Sequence, residues 1–115
     1  MNPDRKRAIL TGAVATYGAL AQTDMMIEEM SELTKALLKL RRATAEPEAA
    51  AICENIREEM ADVQIMLYQM VIIYGSFIEE ENYKLERLEK RLEKHNKEQG
   101  GQNHEQHEKP HQEKP

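Results

Sequence analysis

The sequence predicts an all-α protein: a helical bundle of about four helices, oligomeric, with a disordered C-terminal tail. Apolar residues recur at helical spacing in four successive segments, and no segment alternates apolar and polar residues as a β-strand would. Short loops join the segments. Because roughly ninety residues of amphipathic helix enclose only a small core, we expect a homo-oligomer.

The first predicted helix covers residues 2–20. Asn2 is its N-cap, and Pro3 occupies the first helical position, where a missing N–H is harmless. Two glycines weaken the end of this helix, so a break is expected within residues 17–23. The second predicted helix covers residues 24–43, because favourable N-cap residues precede it.

The third predicted helix covers residues 47–74 and the fourth covers residues 77–95, with Gly75 as the stop between them. Residues 1–94 are therefore predicted to form one helical domain. The chain beyond it holds no apolar residue and cannot contribute to a core. Residues 95–115 are predicted to be a disordered polar tail.

Composition and charge exclude several classes of function. The formal net charge is -5, which argues against nucleic acid or an anionic membrane as a partner, since both call for a basic face. The single cysteine, Cys53, rules out an intramolecular disulfide framework and fits a reducing compartment. No apolar run is long enough for a signal peptide or a membrane span. We therefore expect a soluble cytoplasmic protein.

Two acidic clusters, residues 28–32 and 58–62, lie about one helical hairpin apart. Within each cluster, acids three residues apart fall on one helix face, because each residue advances by about 100° around the axis. If the two helices pack together, four carboxylates converge in one small volume: Glu29, Glu32, Glu59 and Asp62. Such a group repels itself unless a cation binds to it.

The predicted apolar seams separate these acids from an ordinary solvated face. The second helix has a predicted seam of Met26, Met30, Leu33, Leu37 and Leu40. Glu29 and Glu32 flank this seam, at about 60° and about 120° from Met26. The third helix has a predicted seam of Ile52, Ile56, Glu59, Val63, Met66, Met70 and Ile73. Glu59 thus takes an apolar position, where burial of an unpaired carboxylate is costly, and such exceptions are typical of functional sites.

The available ligands narrow the choice of ion. The helices offer only oxygen donors, which favours Mg²⁺ or Mn²⁺, and neither cluster has the histidine at plus three that a ferritin-like di-iron site needs. Carboxylate-bound Mg²⁺ with free positions is typical of sites whose substrates carry phosphates. Three basic residues of the fourth helix fit either a counter-charge for a polyphosphate or surface pairing with neighbouring acids: Lys84, Arg87 and Arg91.

The acidic clusters and their flanking residues fit one known family. The motifs are Glu28-Glu29-x-x-Glu32-Leu33 and Glu59-x-x-Asp62-Val63. The flanks that agree are Tyr17-Gly18, Gln22 and Met26 before the first motif, Leu33-x-Lys35-Ala36 after it, and Ala61-Asp62-Val63-x-Ile65-Met66-Leu67 around the second. Over residues 17–91 the chain resembles the MazG-like, all-α nucleoside triphosphate pyrophosphohydrolases, particularly the short single-domain type of bacteria and phages.

The resemblance implies Mg²⁺-dependent cleavage between the α- and β-phosphates of a nucleoside triphosphate, giving a nucleoside monophosphate and pyrophosphate. Nucleotide-pool housecleaning is one role for such a reaction. Mn²⁺ is a possible substitute for Mg²⁺. The resemblance implies these metal ligands: Glu29, Glu32, Glu59 and Asp62. It also implies a catalytic pair of acids, Glu28 and Glu29, in which Glu28 is a further ligand or the base that orients water.

The resemblance also assigns residues to the substrate. Lys84 resembles a lysine that contacts phosphate and Arg91 a later basic partner, with Arg87 between them. Tyr17 and Gln22 resemble residues of the nucleoside pocket. Family members assemble as dimers or as tetramers built from dimers, so a homodimer or homotetramer is expected.

A second function fits the same sequence if the acids are only solvated faces. The chain would then be a non-catalytic helical adaptor that oligomerises or binds a partner. A helical metal store is a weaker alternative, because the helices offer no histidine for it. These hypotheses differ in whether Glu59 and Mg²⁺ matter for turnover.

Overall fold

The computed structural model describes residues 1–102, and the side chains of residues 1–100. Four helices occupy these residues: α1 Pro3–Tyr17, α2 Ala19–Arg42, α3 Glu46–Tyr74 and α4 Ile78–Gln102. No described residue belongs to a strand, which confirms the all-α prediction for this part of the chain. None of the described helices is long and apolar enough to cross a membrane.

The start of α1 is capped as the sequence predicts. The Oδ1 atom of Asn2 accepts hydrogen bonds from the backbone N–H groups of Asp4 and Arg5, at 2.6 and 3.2 Å. Pro3 is the first helical residue, and Asp4 adds a negative charge to the first turn. Both features stabilise a helix start, because they satisfy or complement its free N–H groups.

The break between α1 and α2 is a single residue, Gly18, and not the longer interruption that the sequence predicts. Gly18 has φ 94° and ψ 155°, a conformation that is essentially restricted to glycine. Its N–H donates to the carbonyl of Val14, and its own carbonyl accepts from the N–H of Gln22. The second helix therefore begins at Ala19, five residues before the predicted start.

The core of the first three helices lies mainly between α2 and α3. Ala36 of α2 packs against Ile52 and Ile56 of α3, and half-buried apolar residues surround this cluster: Leu33, Leu40 and Ala43. Burying an isoleucine side chain contributes about 1.5–3 kcal/mol. The α3 seam agrees with its prediction, since every predicted member is buried or half-buried.

The seam of α2 differs from its prediction. Met30 and Leu37 are 49% and 46% exposed, whereas Ala36 is only 4% exposed. The row that faces α3 consists of Gln22, Met26, Glu29, Leu33, Ala36, Leu40 and Ala43. These residues follow one another at alternating intervals of four and three, as in a heptad repeat. Small Ala36 lies in the row and leaves room for the isoleucines, and bulkier Leu37 lies outside it.

A pair of amides joins α2 and α3 inside the core. Gln22 and Gln69 are only 6% and 3% exposed, and the Nε2 of Gln22 donates to the Oε1 of Gln69 at 2.7 Å. Near them, the hydroxyl groups of Thr23 and Tyr74 lie 2.8 Å apart. Because a buried polar group without a partner is costly, the two glutamines specify each other's position.

The described chain divides into two compact units, Met1–Ser76 and the residues from Phe77 onward. The first unit holds α1, α2 and α3, and the second holds α4. The single helical domain over residues 1–94 stays a prediction from the sequence. Gly75 ends α3 with φ 106°, in agreement with its predicted role. The last helix continues to Gln102, beyond the predicted end, because Glu, Lys and Gln are good helix formers even without an apolar face. The remainder of the predicted tail, residues 103–115, lies outside the described residues.

Two glycines of the first unit offer a matched test of the α1–α2 junction. We expect Gly18→Ala to lower the free energy of unfolding by about 1–3 kcal/mol, because a Cβ strains the positive-φ conformation of this residue. Gly12→Ala should raise it by about 0.5–1 kcal/mol, since Gly12 is helical and an added Cβ would contact nothing within 4 Å. Urea unfolding measures both. Equal effects of the two substitutions would contradict the requirement for glycine at position 18 between α1 and α2.

Candidate metal centre

Three carboxylates come together between α2 and α3. Glu29 lies on α2, and Glu59 and Asp62 lie on α3. One carboxylate oxygen from each residue lies within 4.8 Å of the other two. Glu29 and Glu59 are half-buried, and Asp62 is exposed. The sequence predicts the approach of these three acids, and the structure brings them together.

The heptad rows explain why the carboxylates meet. Glu29 occupies a place in the α2 row that faces α3, where the sequence predicts only a flanking position. Glu59 occupies a place in the corresponding α3 row, as predicted. Asp62 follows Glu59 by three residues, so it lies on nearly the same face of α3. Because the helices pack through these rows, the two glutamates are directed towards each other.

The electrostatic setting of Glu29 is unfavourable for its charged form. Burial is the largest cause that raises the pKa of Glu29 above its ordinary value of 4.5. The negative charges of Asp62 and Glu59 raise this pKa further, followed by those of Glu28 and Glu32. All of these causes raise the pKa of Glu29. A cation among these oxygens would therefore stabilise the ionised site.

Two predicted members of the site lie at its edge. The Oε2 of Glu32 is 3.5 Å from the Nζ of Lys35, one turn further along α2, and Glu32 is not part of the group of three. Glu28 is exposed. Both acids are close enough to raise the pKa of Glu29. The predicted four-carboxylate centre is thus a three-carboxylate centre with two further acids beside it.

The three oxygens fit the demands of one divalent ion. An octahedral Mg²⁺ with bonds of about 2.1 Å holds its ligands roughly 3.0–4.2 Å apart, so oxygens within 4.8 Å of one another need to move only slightly. Three protein ligands leave further positions for water or for phosphate oxygens. The all-oxygen ligand set favours Mg²⁺ or Mn²⁺ over softer metals.

Tyr17 and Gln22, the residues predicted to bind a nucleoside, line the same pocket. It has a volume of about 350 Å³, and its wall consists of Tyr17, Ala21, Gln22, Met25 and Met66. The side chain of Tyr17 is exposed at its edge. The amide of Gln22 is already bound to Gln69, which fixes its orientation. Gln69 is absent from the sequence prediction, although a glutamine within the apolar run 65–73 was a usable signal.

The predicted phosphate-binding residues Lys84, Arg87 and Arg91 lie on α4, in the second unit. All three are exposed. The guanidinium carbon of Arg87 lies 5.8 Å from the centre of the Tyr83 ring, within reach of a cation–π interaction. That Lys84, Arg87 and Arg91 bind phosphate remains a prediction from the sequence.

Comparisons with known proteins add no relative: no family model matches the chain, and neither a search of curated proteins nor a search of solved structures finds a match.

The raised pKa of Glu29 predicts how pH affects stability without metal. A carboxyl group whose pKa is raised on folding favours the folded state at low pH, and this contribution is lost as the pH rises from 4.5 through the raised value. In metal-free buffer at pH 7, Glu29→Gln should therefore raise the free energy of unfolding by about 0.5–1 kcal/mol. The difference from the unmodified protein should shrink below pH 4.5.

Thermal unfolding across this pH range measures the effect. Glu54→Gln is the matched control, because Glu54 is an exposed acid of α3 outside the cluster. Equal or lower stability of Glu29→Gln at pH 7 would show that the charge of Glu29 is already compensated.

Proposed function

We propose that this chain is a Mg²⁺-dependent nucleoside triphosphate pyrophosphohydrolase, which hydrolyses a (d)NTP to the (d)NMP and pyrophosphate. The observation that carries the proposal is the group of carboxylates from Glu29, Glu59 and Asp62 within 4.8 Å of one another. Two of these acids occupy heptad positions between packed helices, where a purely structural role would favour apolar side chains. The resemblance of the surrounding motifs to the MazG-like family supplies the substrate class.

In the proposed mechanism, Glu29, Glu59 and Asp62 would hold the ion. When bound, Mg²⁺ would supply charge neutralisation for the phosphate and so favour attack by water. Glu28 is exposed beside Glu29 and is the acid proposed to orient that water and accept its proton. The proton leaves the water, its oxygen forms the new bond to phosphorus, and pyrophosphate departs with the electron pair of the broken P–O bond.

Glu32 is proposed to exchange its contact with Lys35 for a contact with the metal ion. Its bond to Lys35 spans one helical turn at the surface, and such pairs are worth under about 1 kcal/mol. A divalent cation next to Glu29 is a stronger partner for this carboxylate. We therefore propose that Glu32 would help to hold the ion, in place of its contact with Lys35.

The nucleoside part of the substrate is proposed to bind within the first unit. The nucleoside enters the pocket beside Tyr17 and Gln22, whose volume of about 350 Å³ is near the lower end for small-molecule sites. Tyr17 offers an exposed ring for stacking on the base, and Gln22 is held in place by Gln69. For Lys84, Arg87 and Arg91 of α4, the proposal keeps the role that the resemblance implies, which is to supply counter-charge to a polyphosphate.

A pyrophosphate-release assay with a panel of nucleoside triphosphates tests the activity. We expect release that requires Mg²⁺ and falls by on the order of 100-fold or more in Glu59→Gln, because this change removes a metal ligand and keeps the shape of the side chain. Glu58→Gln is the control, since Glu58 is the exposed neighbour on the same helix. Undiminished turnover in Glu59→Gln would rule out the proposed centre.

The competing function is a non-catalytic helical adaptor. It is favoured by the large apolar side chains that α2 leaves exposed, among them Leu20, Ile27 and Leu38. An adaptor needs no cation, so its acids would respond only to ionic strength. The two functions therefore differ in their response to Mg²⁺ before any substrate is added.

Thermal unfolding with and without Mg²⁺ separates the two functions. At tenfold above its dissociation constant, a ligand that binds only the folded state stabilises it by about 1.4 kcal/mol. We expect such an increase for the unmodified chain and its loss in Glu59→Gln. NaCl at the same ionic strength should produce neither effect. An unchanged melting temperature in Mg²⁺ would favour the adaptor.

A further inference from the structure

Helix α4 carries a short apolar stripe. Leu85, Leu88 and Leu92 follow one another at intervals of three and four, which are the spacings of the core positions in a heptad repeat. The three side chains are 54%, 45% and 53% exposed. An exposed leucine stripe on a helix of 25 residues is a surface for another helix.

The two flanks of this leucine stripe carry opposite charges. Since each residue advances by about 100°, the flanks can be assigned from the helix itself. Within residues 84–94, the acidic flank consists of Glu86, Glu89 and Glu93, and the basic flank consists of Lys84, Arg87, Arg91 and Lys94. Within the same range, Glu89 is the acid nearest to the leucine stripe, and Lys84 and Arg91 are the nearest bases. Glu81 lies on the face of the stripe itself, one turn before Leu85. The stripe therefore has an acidic edge on one side and a basic edge on the other.

We infer that α4 pairs in parallel with α4 of a second copy of this chain through the leucine stripe. In a parallel pair, the acidic edge of each helix meets the basic edge of the other, on both sides of the contact. Lys84 lies five residues before Glu89, which is the spacing at which flanking charges of two parallel helices meet. Each Lys84 thus faces Glu89 of the partner subunit.

The charges also select against other pairings. In an antiparallel pair, acidic edges would meet acidic edges and basic edges would meet basic edges, which is destabilising at both sides. Any partner of a single charge sign would meet a like charge along one edge. A second copy in parallel orientation satisfies both edges, and this complementarity identifies the occupant.

The pairing does not rest on the proposed hydrolysis. Lys84 and Arg91 are the residues that both proposals use, so tests of the pairing begin with Leu88 and Glu89. Their readout is the mass of the assembly in solution and not turnover. A failure of the pairing would leave the carboxylate centre untouched, and inactive Glu59→Gln would leave the pairing untouched.

Light scattering or sedimentation of the full chain tests the contact. We expect a dimer or a multiple of it, and a lower mass for Leu88→Glu, which places a charge in the stripe. Lys90→Glu is the control, because Lys90 lies on the opposite face of α4 and should leave the mass unchanged. Circular dichroism checks that the variants stay helical. A monomeric unmodified chain, or an unchanged mass in Leu88→Glu, would overturn the inference.

Charge reversal tests the parallel edges without altering the leucines. Glu89→Lys should weaken the assembly by about tenfold in dissociation constant, since each Lys84 then faces a lysine. The double change Lys84→Glu with Glu89→Lys should restore it, because opposite charges meet again. An unaltered dissociation constant in Glu89→Lys would contradict the proposed orientation.

Disulfide trapping gives the orientation directly. His95 takes the next core position after Leu92, so His95→Cys in a Cys53→Ser background should oxidise to a covalent dimer in a parallel pair. In an antiparallel pair centred on Leu88, the two cysteines would lie about 21 Å apart along the axis and would not react. Lys90→Cys in the same background is the outward-facing control. The parallel arrangement would be overturned if His95→Cys formed no disulfide-linked dimer, or if Lys90→Cys formed as much of it as His95→Cys.

Discussion

The structure of the first unit depends on the packing of α2 against α3 through two heptad rows. Each row is apolar for most of its length, and each contains one glutamate near its middle. The packing that buries Ala36, Ile52 and Ile56 is therefore the same packing that directs Glu29 and Glu59 towards each other. Burial of apolar side chains supplies the free energy that packs α2 against α3. Part of this free energy offsets the repulsion between the two glutamates. Because apolar packing here opposes charge repulsion, the carboxylate cluster is a candidate binding site and differs from an ordinary solvated acidic surface.

The sequence predicts much of this arrangement, and its errors have physical causes. The α3 row is predictable because its apolar residues form one stripe, so the charge of Glu59 stands out. On α2, Met30 and Leu37 form a second apolar stripe beside that of Leu33 and Leu40, and hydrophobic periodicity cannot say which stripe faces the partner. In the structure, the row that contains Ala36 faces α3. Glu29 belongs to the same row, so it lies in the contact and not beside it.

Other differences concern local conformations and single side chains. Helix-breaking signals spread over residues 17–23, but one residue with positive φ, Gly18, is enough to end α1 and begin α2. The end of α4 lies later than predicted, because helix propensity there does not depend on an apolar face. Glu32 shares a face with Glu29, yet its carboxylate binds to Lys35 one turn away. Face assignments predict which residues are near a site, and rotamers decide which of them enter it.

The buried amide pair has a consequence for the alignment of the two helices. Heptad rows repeat every seven residues, so apolar packing alone would tolerate a slide of α3 along α2 by one repeat. Such a slide would move Glu29 and Glu59 apart by about 10.5 Å along the helix axis. It would also break the buried hydrogen bond from the Nε2 of Gln22 to the Oε1 of Gln69, although the Nε2 of Gln69 would keep its contacts within α3. The amide pair thus fixes the register of α3 against α2, and because neither glutamine titrates, this contribution does not itself depend on pH.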